Sequence, residues 1–214
     1  YGDHRDLHSF PTRRSSDLDK EKTLLDHFSD QVKRVPSGKA LISNQKTLTY
    51  LELDKLSNQL AQYLASIGIA EGASIGIAIP RSINMVVGLL AGLKIGAIYV
   101  PLDPAHPVER LELMVNDAAV THILTDSKTI AQLPDTLPGV IQVDQIDLGE
   151  QSDRALSVDI QPNDTFLISF TSGSTGRPKG VQGHHLAYLN RFNWFWETYP
   201  FEEGEVFVDR KSVV

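Results

Sequence analysis

The 214-residue chain contains no cysteine. Disulfides, thiolate metal sites and a cysteine nucleophile are therefore excluded. Basic residues are also scarce, since 20 lysines and arginines stand against 27 acidic residues and give a formal charge of −7. No basic stripe follows the chain, which argues against a nucleic-acid partner.

Long apolar runs are absent as well. The longest, residues 83–100, is interrupted by Asn84 and Lys94, so the sequence predicts no membrane span. No apolar signal-peptide core follows Arg13 and Arg14, and we expect a cytoplasmic protein.

The bulk composition is that of a soluble globular protein, with 41% hydrophobic and 22% charged residues. The length is enough to bury one sizeable core. His184 and His185 form the one adjacent histidine pair, and no metal-ligand pattern surrounds them. We predict no metal site.

The first half of the chain predicts an opening helix over residues 22–32, then a hairpin of residues 39–43 and 46–49. Thr49 and Glu52 stand three residues apart and can form a capping box for a second helix. Gly68 would end that helix. Its predicted buried face consists of Leu53, Leu56, Leu60, Leu64 and Ile67.

Residues 74–79 form a nearly continuous apolar strand, as expected in a parallel sheet covered on both faces. A helix over 83–95 and a strand over 97–100 follow, and this order implies a parallel crossover. Gly88 and Gly92 would let the helix approach the sheet closely. The sequence thus predicts an α/β fold with a mostly parallel sheet flanked by helices.

Another helix is predicted from Pro107. Its inward positions are Val108, Leu111, Val115 and Ala118. Short strands follow at 122–125 and 140–143, before a polar and acidic surface segment at 145–163.

Two aspartates, Asp103 and Asp126, each follow a predicted strand. Ligands of open α/β sheets bind at such positions. Aspartates also cap turns there, so the sequence leaves both roles open.

Residues 165–180 change from a short apolar strand at 166–170 to hydroxyls, glycines and one lysine. Glycines let backbone N–H groups approach an anion, hydroxyls add neutral donors, and a lysine adds a mobile charge. This chemistry suits a polyphosphate. The predicted nucleotide-binding residues are Thr171, Ser172, Gly173, Ser174, Thr175, Gly176, Lys179 and Gly180.

The spacing differs from that of a Walker loop, which would need glycine before Lys179 and serine or threonine after it, where this chain has Pro178 and Gly180. A Ser/Gly-rich linker is the bland alternative. It does not account for the strand before the loop or for the lysine within it.

Residues 171–180 (TSGSTGRPKG) resemble the phosphate-binding signature of the adenylate-forming, AMP-binding superfamily. Residues 48–53 (LTYLEL) and 93–103 (LKIGAIYVPLD) resemble the first and second core motifs of its amino-acid adenylation branch, found in nonribosomal peptide synthetases. The three motifs occur in the family's order, and the resemblance covers residues 20–208. By this resemblance the chain is the N-terminal portion of an adenylate-forming enzyme core.

The same comparison divides the chain into three parts. Residues 18–208 match the partial adenylation domain, whereas 1–17 and 209–214 depart from the family pattern. We interpret these end segments as a non-native leader and tail.

The resemblance implies a ligase that uses ATP and Mg²⁺ to form an aminoacyl adenylate and pyrophosphate. The aminoacyl group would then pass to phosphopantetheine on a carrier domain, beside neighbouring synthetase domains. In relatives the catalytic lysine and several ligand-binding motifs lie beyond the position of residue 214. We therefore expect that the chain alone does not complete adenylation.

Two other functions remain open. An acyl- or aryl-CoA ligase shares the phosphate loop, and a catalytically silent nucleotide-binding or interaction module would need only binding. His185 stands where adenylation-domain relatives carry a histidine, but it can equally be a helix-start residue. An aromatic cluster within residues 188–199 is interpreted as packing, because no basic residues are interleaved with it.

Overall fold

The computed structural model describes residues 21–43, 46–172, 177–200 and 205–206. Within these ranges the chain forms five α-helices and eight strands in two sheets. The α/β class predicted from the sequence is confirmed. The predicted turn at 44–45 and the end segments 1–17 and 209–214 lie outside the described residues.

The helices and strands follow one another along the chain as follows. The helices are α1 (Leu24–Arg34), α2 (Tyr50–Ser66), α3 (Ile83–Lys94), α4 (Val108–Asp117) and α5 (His185–Thr198). The strands are β1 (Lys39–Ile42), β2 (Thr47–Thr49), β3 (Ser74–Ala78), β4 (Ile98–Pro101), β5 (Val120–Thr125), β6 (Val140–Gln142), β7 (Thr165–Thr171) and β8 (Lys179–His184).

The main sheet has the strand order β6-β5-β3-β4-β7-β8, while β1 and β2 form the predicted antiparallel hairpin. Neighbours in the main sheet are parallel except β7 and β8. The mostly parallel sheet is therefore confirmed. All five residues of β3 are buried at its centre, which explains their nearly continuous apolar character.

Two hydrophobic clusters lie on opposite faces of this sheet. Ile75 and Ile77 belong to the cluster that contains α2 and α3. Gly76, between them, faces Leu102 and Ile123 of the cluster that contains α4. Because side chains alternate along a strand, the helices cover both faces.

Helix α2 begins at the predicted capping box. The Thr49 N–H donates to Glu52 Oε2 at 2.8 Å, and the Glu52 N–H donates to Thr49 Oγ1 at 3.2 Å. The prediction that Ile67 is buried is wrong, since it is 40% exposed. The helix ends at Ser66, and Gly68 at φ +91° turns the chain so that Ile69 enters the core instead.

Helix α4 shows a similar correction at its start. Val108, predicted to face inward, is 47% exposed because it is the first helical residue, after Pro107 at the N-cap. Leu111, Val115 and Ala118 are buried as predicted. Met114, which the prediction missed, joins them.

A polar cluster fixes α3 against α2. The Lys94 ammonium donates to Asp54 Oδ1 at 2.7 Å and to Asn58 Oδ1 at 2.6 Å. Asn58 in turn donates to the Asp153 carbonyl at 2.9 Å, so the segment predicted as a surface excursion is tied to α2. Burial lowers the pKa of Lys94, and its hydrogen bond and ion pair with Asp54 oppose this shift.

Candidate functional site

Strands β7 and β8 form an antiparallel hairpin, and the end at which the chain passes from β7 to β8 carries the candidate site. Thr171 pairs with Lys179 and Phe170 pairs with Gly180. The Thr171 hydroxyl donates to the Lys179 carbonyl at 3.5 Å, at the limit of a hydrogen bond. Residues 172–178 therefore connect two strand ends that lie side by side.

This hairpin corrects the predicted extent of the loop. The sequence analysis placed Lys179 and Gly180 at the end of a polar loop over residues 171–180, but they begin strand β8. The strand was missed because its sequence is polar and rich in glycine, unlike an ordinary strand. The pairing with β7 outweighs that weak preference.

The structure describes four of the eight predicted site residues. Thr171, Ser172, Lys179 and Gly180 are all exposed at the hairpin end. The other four, Gly173, Ser174, Thr175 and Gly176, lie outside the described residues. Two hydroxyl-bearing residues and one lysine are thus exposed at the same end of the hairpin.

Gly180 has a packing reason for lacking a side chain. A Cβ atom there would lie 3.0 Å from Ile168 Cγ2 and 3.4 Å from the Phe170 ring. The side chains of Ile168 and Phe170 therefore occupy the space beside Gly180, which pairs with Phe170 next to the Thr171–Lys179 pair.

Sequence reasoning missed a residue that connects the loop to a helix. Arg177 Nη2 donates to Asp117 Oδ1, the last residue of α4, at 2.7 Å. A charged residue between Gly176 and Pro178 was the available signal in the sequence. Its partner, 60 residues away, could not be inferred without the topology.

The two aspartates that follow strands both cap turns. Asp103 Oδ1 accepts from the Ala105 N–H at 3.0 Å, and Asp126 Oδ1 accepts from the Thr129 N–H at 2.9 Å. These bonds account for an aspartate at each position. The structure supports the turn-capping interpretation of Asp103 and Asp126.

His185 is the first residue of α5 and is only 2% exposed. Its Nδ1 accepts from the Leu24 N–H at 3.4 Å, and its ring lies 4.8 Å from that of Phe166. Burial lowers the pKa of His185, against the opposing charges of Asp164 and Asp26. These contacts favour the structural interpretation, in which His185 joins α5 to the start of α1.

The described ranges contain neither a metal-ligand cluster nor a helix suited to a membrane. No group of three or more His, Asp or Glu side chains there could hold a metal ion. None of the helices in those ranges has the length and apolar content that crossing a bilayer requires. The cytoplasmic location stays a prediction.

The AMP-binding enzyme family matches this chain over residues 28–210. The chain belongs to the AMP-binding enzyme family. The match includes the β7–β8 hairpin and the two earlier motifs, so the resemblance seen in the sequence is confirmed.

Among AMP-binding relatives, zwittermicin A synthase ZmaJ of Bacillus cereus is 37% identical over 184 residues. The match covers 86% of this chain and 35% of ZmaJ, so the chain spans about a third of that relative. The N-terminal subdomain of Klebsiella oxytoca NpsA has a TM-score of 0.71 at 27% identity, over 79% of this chain and 44% of the other.

A related K. oxytoca structure is NpsA-ThdA, an artificially fused adenylation–PCP di-domain of a nonribosomal peptide synthetase. It gives a TM-score of 0.72 at 27% identity, over 79% of this chain and 34% of the other. The chain therefore corresponds to the N-terminal part of an adenylation domain of this kind.

A cavity of about 290 Å³ in the AMP-binding fold lies away from the hairpin end. Glu71, Asp164 and His185 are among its lining residues, beside Thr165 at the start of β7. The site residue Thr171 ends the same strand, six residues or about 20 Å further along. The cavity is therefore separate from the candidate site.

The aromatic residues of α5 divide into a packed part and an exposed part. Tyr188 contacts the Phe166 ring edge-on at a centroid distance of 5.0 Å, as the packing interpretation expects. Phe192 stacks on Trp196 at 6.1 Å, but both rings stay exposed. Helix α5 thus packs through its first turns and presents aromatic rings from its later ones.

Proposed function

We propose that this chain is part of an ATP-dependent adenylation domain that activates an amino acid for nonribosomal peptide synthesis. The observation that carries the proposal is the hairpin end of an AMP-binding chain, where Thr171, Ser172 and Lys179 are exposed together. Hydroxyl donors and a single cation at one strand end match the oxygens and charge of a polyphosphate.

In the proposed reaction a carboxylate oxygen of the amino acid attacks the α-phosphorus of ATP. The bond from that phosphorus to the bridging oxygen breaks, and pyrophosphate leaves with the electron pair. Negative charge develops on pyrophosphate, so catalysis depends on positioned donors and positive charge. Mg²⁺ carried with the nucleotide would share this charge.

The chain's own residues then have separate roles. Lys179 supplies the positive charge, and the Thr171 and Ser172 hydroxyls donate to phosphate oxygens. The Lys179 Nζ has no ion-pair partner within the described ranges, so its positive charge is available to a ligand. The proposed set is completed by Gly173, Ser174, Thr175, Gly176 and Gly180.

The second half-reaction would transfer the aminoacyl group to the thiol of phosphopantetheine on a carrier domain. The likeness to an adenylation–PCP di-domain supports a carrier domain as the partner. The resemblance of residues 93–103 to the amino-acid adenylation branch supports an amino acid as the substrate. We place this reaction in the cytoplasm.

Binding of Mg·ATP to the 214-residue chain tests the site. Lys179→Gln should weaken binding by about tenfold or more, since a charge-assisted hydrogen bond contributes about 1.5–3 kcal/mol. Lys39→Gln removes another exposed lysine, on β1 in the separate small sheet, and should leave the affinity unchanged. Equal losses for the two variants would mean that binding responds only to overall charge.

Pyrophosphate exchange tests the reaction, and we would measure it with a longer protein that spans the full adenylation domain of the relatives. Exchange that depends on an amino acid supports the proposal, whereas the 214-residue chain alone should give none. Exchange with carboxylic acids that lack an amino group would favour an acyl- or aryl-CoA ligase. ATP binding without exchange by the longer protein would favour a silent module.

A further inference from the structure

The ion pair between Arg177 and Asp117 joins the segment just before Lys179 to the end of helix α4, 60 residues earlier in the chain. Arg177 Nη2 and Asp117 Oδ1 are 2.7 Å apart, with side chains 65% and 33% exposed. The Asp117 carboxylate is thus partly shielded from water. Shielding strengthens the attraction above that of a fully exposed pair.

Asp117 is the last residue of α4, a helix that is packed into the core. Leu111, Met114 and Val115 bury one side of α4 in the second hydrophobic cluster. Ile168 and Phe170 of β7 pack against the same cluster. Helix α4 and the hairpin therefore share a core, and the position of Asp117 is set relative to the strand that enters the loop.

Through Arg177, the fixed position of Asp117 constrains the chain close to Lys179. Only Pro178 separates it from Lys179, and the proline ring fixes φ at about −65°. Lys179 is itself held by its pairing with Thr171. An anchor at Arg177 therefore restricts the last part of the connection as it enters β8.

We propose that Asp117 is a positioning residue of the nucleotide site, which holds Arg177 and thereby orients Lys179 for phosphate binding. The inference rests on the proposed nucleotide function. Asp117 acts through Arg177 and does not itself touch the nucleotide. When residues 177–179 are positioned in advance, they lose less conformational freedom as the ligand binds, so the affinity is higher.

Mg·ATP affinities of four variants of the 214-residue chain test the coupling. Asp117→Asn and Arg177→Gln should each raise Kd about two- to fivefold, the range for a partly exposed ion pair. The double variant should bind no more weakly than the weaker single variant, since both changes break the same contact. Exchanging the charges, by Asp117→Arg with Arg177→Asp, should restore part of the loss.

The control is a second ion pair of comparable exposure. Lys55 and Asp153 are 3.4 Å apart and about half exposed, and Asp153→Asn should leave Kd unchanged. Tighter binding by Asp117→Asn would overturn the proposal, since it would mean that the pair holds Arg177 away from the phosphates. Unchanged binding would overturn it as well.

Hydrogen exchange of the amides in residues 177–184 gives a readout that needs no nucleotide. Asp117→Asn should raise their exchange rates, and the variant with swapped charges, Asp117→Arg with Arg177→Asp, should lower them again. If the original chain does not bind ATP, the nucleotide function fails, while this measurement still decides whether Asp117 orders residues 177–184. Unaltered exchange rates in Asp117→Asn would reject the positioning role.

Discussion

A Cβ atom placed on Gly92 would lie 2.8 Å from Ile75 Cδ1, so the middle of α3 touches the central strand β3 without room for a methyl group. Gly88, one turn earlier on the same helix, differs, because its added Cβ would meet Leu124 Cδ1 at an ordinary 3.5 Å. The two glycines predicted to allow close approach are therefore not equivalent.

This difference predicts unequal effects of adding a methyl group. Gly92→Ala should have a free energy of unfolding about 1–3 kcal/mol below that of Gly88→Ala, the usual cost of overpacking a core. Both changes gain the same helix propensity, which cancels in the comparison. Urea unfolding of the two variants measures the difference. Equal stabilities would mean that Ile75 can move aside.

Much of the fold could be predicted from the sequence, because many of its elements depend on local patterns. The Thr49–Glu52 capping box needs residues only three apart, and the apolar composition of residues 74–78 predicts the buried strand β3. The errors at Ile67 and Val108 fall at helix ends, where one residue of shift turns a side chain to solvent.

Only part of the candidate site could be predicted from the sequence. Its residue types indicated a phosphate ligand, but strand β8 and the Arg177–Asp117 pair depend on what the topology brings together. Similarly, Lys94 lies within a recognised motif, yet its partner Asp54 is 40 residues away. Such pairings leave no periodic signal in the chain.

The buried position of Lys94 predicts a large cost for its removal. Its side chain is 9% exposed, and Lys94→Met would leave the Asp54 carboxylate without its cation. We expect a loss of about 3 kcal/mol in the free energy of unfolding, as for other broken buried pairs.

The control for Lys94 is Lys55, whose ion pair with Asp153 is about half exposed. Lys55→Met should cost less than about 1 kcal/mol. Urea unfolding would contradict this account if the two methionine variants were equally stable, since burial would then not determine the cost.

His185 predicts a stability that depends on pH. Because burial lowers its folded-state pKa, the unfolded chain, with a pKa near about 6.5, binds the proton more readily. The contribution is present above that value and is lost as the pH falls through the lower folded-state pKa. Protonation of Nδ1 would also break the bond from the Leu24 N–H.

Urea unfolding at about pH 7.5 and about pH 5.5 measures this contribution. His185→Gln should lose less stability on acidification than the original chain, since it has no imidazole to protonate. His184→Gln, which removes the exposed neighbouring histidine, should keep the original loss. Asp26 and Asp164, the carboxylates that act on His185, are present in both variants and their direct effect cancels. An unchanged pH dependence in His185→Gln would mean that other groups cause the acid loss.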